Sequence, residues 1–81
     1  MLDTALDESD IKIIFNSFKV RHLSYHDLRT RISGKYKFAE LHLSMPGNIT
    51  LAEVHKVCYE VEKELQESIS DFQITIHVEP K

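Results

Sequence analysis

Five histidines in 81 residues are the chain's most telling chemistry. Neutral imidazole is the commonest protein ligand for transition metals, and His26, His42, His55 and His77, with the carboxylate Glu79, form a candidate donor set. His77 and Glu79 stand two apart in Phe72-Gln73-Ile74-Thr75-Ile76-His77-Val78-Glu79, which alternates apolar and polar and is stopped by Pro80. In a strand of period two they project to the same side, opposite Phe72, Ile74, Ile76 and Val78. Four imidazoles and one carboxylate are borderline donors, suited to Zn²⁺ and acceptable to other divalent transition metals. A tetrahedral ion needs four donors, so five exceed one ion. A bridging Glu79 or ligands from a second subunit would let the set serve two.

The remaining elements decide whether these residues can meet. Ile11, Ile14, Phe15 and Phe18 recur at helical spacing over about Asp7–Phe18, with Asp7 or Ser9 as cap. A strand is expected around Asp27–Ile32, turn chemistry at Ser33-Gly34-Lys35, and a second strand over about Tyr36–Met45, ended by Pro46-Gly47. Thr50 with Glu53 reads as a capping box and Ile49 with Val54 as a hydrophobic staple. The helix they open has Leu51, Val54, Val57, Cys58, Val61 and Leu65 as its buried stripe. The order helix-strand-strand-helix-strand, with a tight hairpin and then a crossover, gives an α+β fold: an αββαβ open-faced sandwich of ferredoxin or metallochaperone type. Its three-stranded mixed sheet carries both helices on one face.

This topology gathers the donors. The start of strand one, the end of strand two, the end of strand three and the start of helix two share one rim. His26, His42, His77 and Glu79 lie there, and His55 is in the second turn of the helix. Strict alternation places His26 on the side of Leu28 and Ile32, so it must precede the regular strand to join the others. Arg29 and Arg31 share the outward face of strand one, with Glu40 as an available partner. Cys58 belongs to the buried stripe, a small core residue. Tyr25, Tyr36, Phe38 and Tyr59 are candidates for interface contacts.

Composition narrows the function. The chain is one domain, residues 1–81, with 42% hydrophobic and 28% charged residues, so it is globular. A net charge of -3, thirteen acidic against ten basic side chains, disfavours nucleic acid as a partner. The single cysteine excludes an internal disulfide and fits a reducing compartment. No run approaches the apolar length that crosses a bilayer, and no signal-peptide pattern opens the chain.

Four segments together resemble a known family. Tyr25-His26-Asp27-Leu28-Arg29-Thr30-Arg31 with Gly34, then Leu41-His42-Leu43, Ala52-Glu53-Val54-His55 and Ile76-His77-Val78-Glu79-Pro80 are similar to the cytoplasmic C-terminal domain of cation diffusion facilitator transporters. The resemblance implies a homodimer that binds divalent metal near its interface through His26, His42, His55, His77 and Glu79. It also implies regulation of efflux through a membrane region of the same full-length chain, for which residues 1–7 look like the connector. His22 matches no ligand of the family, and Phe18-Lys19-Val20-Arg21 replaces the Pro-Gly-Val usual before the first strand. The reading is therefore a cytosolic, non-enzymatic, zinc-responsive regulatory domain. The alternatives are a small metal-dependent hydrolase and a metal-independent dimerisation domain.

Overall fold

In the computed structural model, which describes residues 5–81, the elements run α1 (Glu8–Lys19), β1 (Ser24–Ser33), β2 (Tyr36–Met45), α2 (Leu51–Ser68) and β3 (Phe72–Pro80). The first four residues of the expected connector lie outside the described residues. Leu6, from its remainder, is buried, and its backbone N–H donates to Thr30 Oγ1 at 3.2 Å.

Capping fixes both helices. Asp7 caps α1, its carboxylate accepting from the Asp10 backbone N–H at 2.9 Å and from the Ser9 hydroxyl at 2.7 Å. Those bonds hold the Asp7 carboxyl below the usual carboxylate range, the Asp10 N–H contributing most. The far end closes with Leu23 N–H on the Phe18 carbonyl and His22 N–H on that of Lys19, and His22 takes the left-handed conformation at φ 56°. This is a Schellman ending with histidine where glycine is usual, which gives His22 a structural place. At α2, Thr50 Oγ1 accepts from the Glu53 N–H at 3.1 Å, and the Thr50 hydroxyl donates to the Glu53 carboxylate at 2.9 Å.

The sheet order is β1-β2-β3, antiparallel on one side of β2 and parallel on the other, as the hairpin and crossover require. Ser33 pairs with Tyr36 across a two-residue turn in which Gly34 has φ +61°, a conformation glycine adopts without steric cost. Alternate residues of β2, Ala39, Leu41, Leu43 and Met45, are buried with Ile14 and Phe18 of α1 and Val61 and Leu65 of α2. Both helices therefore cover one face, and the other is open. Two positions of the expected apolar stripes lie outside this core. Phe15 is 49% exposed and Leu51, the first residue of α2, is 72% exposed, and neither packs against the core.

Ion pairs join the layers. Arg21 grips Glu64 of α2 with both terminal nitrogens, each at 3.1 Å, while one of them also donates to the Ser17 carbonyl at 2.9 Å. The Arg21 hydrogen bond lowers the Glu64 carboxyl and raises the Arg21 guanidinium. Lys37 at the start of β2 reaches Asp10 of α1 at 2.7 Å. Among the described residues, no buried side-chain polar atom lacks a partner.

Candidate metal centre

The decisive local feature is a bulge in β1. His26 pairs with His42 and Arg29 with Glu40, so Asp27 and Leu28 together oppose one residue of β2. Asp27 supplies the extra residue in the left-handed region, at φ 58°. The inserted residue reverses the side-chain parity. Tyr25 packs inward, its ring 5.0 Å from that of Phe18, and His26 faces outward on the same side as Arg29. Strict alternation assigns His26 to the opposite side. The bulge also explains why β1 extends back to Ser24 instead of starting near Asp27.

On the open face, His26, His42 and His77 form one row across the three strands, because His42 is in register with both others. The His26 and His42 rings lie 5.5 Å apart and those of His42 and His77 5.0 Å apart, all roughly parallel. Glu79 follows two residues after His77, opposite Ser44, and reaches back over the row. The strand carrying it is pinned at its end by the Lys81 N–H, which donates to the Met45 carbonyl at 2.9 Å.

Glu79 spans two imidazoles, with Oε1 2.6 Å from His42 Nδ1 and Oε2 3.4 Å from His26 Nε2. His26, His42 and Glu79 each offer a donor atom, and these atoms lie within 4.8 Å of one another. Donors on a tetrahedral zinc ion stand about 3.4 Å apart, given bonds of about 2.0–2.1 Å. The His26–Glu79 distance already has that value; the shorter His42–Glu79 contact is a hydrogen bond, which an ion ligated by both atoms must open. A carboxylate only accepts, so in this arrangement His42 Nδ1 carries the proton and its Nε2 holds the lone pair. Asp27 Oδ2 lies 3.8 Å from that Nε2. With a neutral ring these two acceptor atoms face each other, a contact that either a second ring proton or a bound cation would satisfy.

The structure thus brings together three of the five expected donors. His77 stands beside the trio, with its Nε2 engaged by Glu40 Oε2 at 2.6 Å. His55 is exposed on α2 and outside the trio. Two carboxylates at the site, Asp27 and Glu40, escape sequence reasoning. The arginines expected near Glu40 go elsewhere: Arg29 Nε is 3.9 Å from Asp27 Oδ1, and the Arg31 guanidinium lies 4.3 Å over the Phe38 ring. No sequence signal identifies Glu40 as the partner of His77, thirty-seven residues away. The left-handed residue at Asp27 leaves one trace, the awkward parity of His26.

The family described as "Cation efflux protein, cytoplasmic domain" matches residues 4–81. This chain belongs to that family. The cation-efflux pump FieF of Shewanella oneidensis is 36% identical over 83 residues, covering 99% of this chain and 28% of FieF. The domain therefore spans less than a third of that relative's length. A structure of CzrB superposes with a TM-score of 0.81 at 35% identity, covering 94% of this chain and 98% of the other. CzrB in its Zn form gives 0.82 at 34% identity, covering 99% and 94%. The metal-bound C-terminal domain of CzcD from Thermotoga maritima, with a TM-score of 0.78 at 23% identity over 93% of this chain and 94% of the other, shares the fold. The αββαβ architecture is thus that of the cation efflux cytoplasmic domains. No described helix is long and apolar enough to cross a membrane.

Proposed function

We propose that this domain regulates a divalent-cation efflux transporter by binding zinc on the open face of its sheet within a homodimer. The observation that carries this is the convergence of His26, His42 and Glu79 donor atoms within 4.8 Å, from three different strands. Zinc is favoured by the mixed nitrogen and oxygen donors and by the likeness to CzrB, solved in a Zn form. His26, His42 and Glu79 would hold one ion, and His77, next in the row, would join them. His55, exposed on α2 in line with Leu51 and Tyr59, would enter from the second copy. An ion shared between subunits shifts their arrangement only by binding one arrangement more tightly. That preference is how occupancy would reach the membrane region of the full-length chain. The domain is read as a binding module and not a catalyst, in keeping with its transporter relatives.

Zinc at a hundred times its dissociation constant adds about 2.7 kcal/mol to folding stability, which raises the melting temperature of a domain this size by roughly 10–20 °C. His42→Ala is expected to remove most of that rise, and sedimentation should show zinc favouring the dimer. A flat calorimetric titration of the wild-type chain with zinc at pH 7.5 would reject the reading.

A further inference from the structure

We infer that Glu40 is a positioning residue for the metal centre: it fixes the tautomer of His77, so that His77 takes an ion through Nδ1. This rests on the reading of the open face as a zinc site and adds to it a residue that makes no contact with the ion.

Three observations carry it. His77 Nε2 and Glu40 Oε2 are 2.6 Å apart, a distance that requires a shared proton. An ionised carboxylate has none to give, so the proton resides on Nε2 and the lone pair of a neutral ring is at Nδ1. Second, Glu40 is otherwise uncommitted. Arg29, directly across the ladder, turns to Asp27, and Arg31 lies over Phe38. Third, the spacing needs a side chain of this length. Glu40 pairs with Thr75, so His77 lies one step further along the same face, a diagonal of about 7–8 Å between neighbouring strands. Glutamate spans it; aspartate, one methylene shorter, does not.

The arrangement parallels the one beside it. His42 presents Nδ1 to Glu79 as His77 presents Nε2 to Glu40, the two rings being inclined by 29°, but Glu79 is read as a ligand in its own right and Glu40 is not. A carboxylate behind a ligating imidazole orients the ring and makes its free nitrogen a better donor. Losing such a partner commonly weakens metal binding by about 10- to 100-fold.

Two measurements on the full chain test this. In a long-range proton–nitrogen correlation spectrum of the metal-free chain at pH 8, His77 should appear as the Nε2–H tautomer; an Nδ1–H form, or an averaged mixture, would overturn the inference without any metal being present. In zinc titrations by calorimetry, Glu40→Ala and Glu40→Asp should each weaken binding about 10- to 100-fold, with Glu40→Gln between them and the wild type. Glu40 is about half exposed, so the variants should melt with the wild type before zinc is added. Variants that bind within twofold of the wild type, or more tightly, would show Glu40 to be a bystander or a competitor and sink the proposal. A wild-type chain that takes up no zinc fails at an earlier step, rejecting the metal reading itself, and is thereby told apart from a failure of Glu40 alone.

Discussion

The two faces of one sheet follow different rules. On the covered face, Leu41, Leu43 and Met45 meet the helices and are almost wholly removed from water. On the open face, the alternate residues Glu40, His42 and Ser44 remain partly hydrated, and Glu40 and His42 find side-chain partners on the neighbouring strands. The covered face is held by apolar area, which is indifferent to the identity of each contact. The open face depends on individual pairings of imidazole with carboxylate. The first should set stability and the second ligand binding, and adjacent residues can separate them.

The sharpest separation is at Leu41 and His42. Leu41→Ala should cost about 2–5 kcal/mol of folding free energy in urea denaturation. His42→Ala, its immediate neighbour, should change the stability of the metal-free chain by about 0.5 kcal/mol or less while abolishing most of the zinc response. Equal losses from both would mean the faces are not separate.

Asp27→Val tests the comparison differently, because a β-branched residue resists φ 58° and a strand made regular with every residue kept turns His26 to the covered side. Zinc binding should fall on the order of tenfold or more, as a donor leaves the site, with some loss of stability. Asp27→Gly, which keeps the bulge and suits φ 58°, should retain binding within a few-fold. An Asp27→Val variant that binds zinc as the wild type does would show that the bulge is not needed to place His26.

The smallest effect concerns the ion pairs at the helical layer. Glu64 is held by Arg21 below the usual carboxylate range. A depressed folded-state value means its contribution is present above the ordinary carboxyl range and disappears as pH falls through the lowered value. The pair is partly exposed, so Glu64→Gln should cost less than about 1 kcal/mol at pH 7. Urea midpoints of variant and wild type should converge in acid. A difference that widened in acid would assign the pairing the wrong sign.

Much of this molecule was legible in its residues. Apolar alternation located β2 and β3, and the Thr50–Glu53 cap located α2, because each signal is local. The family likeness, carried by short segments around His26, His42, His55 and His77, pointed to the same architecture. What escaped was non-local or conformational. The left-handed Asp27 shows in the string only through the awkward parity of His26, which strict alternation puts on the wrong side of β1. Phe15 and Leu51 fit the apolar spacing, but the width of the covered area is set by how both helices meet the sheet, not by one helix. Glu40 is an available partner for the arginines because their strand is near in sequence, whereas a diagonal to His77 depends on register.

The central strand has one further consequence, and it is kinetic. Leu41 and Leu43 bracket His42 and are fully buried, so the backbone there can loosen only when the core opens as a whole. Amide protons along this stretch should be among the slowest in the molecule to exchange with solvent. If the open face takes an ion as proposed, the backbone beneath it is already in place, and only side chains have to rearrange, the His42–Glu79 contact opening first.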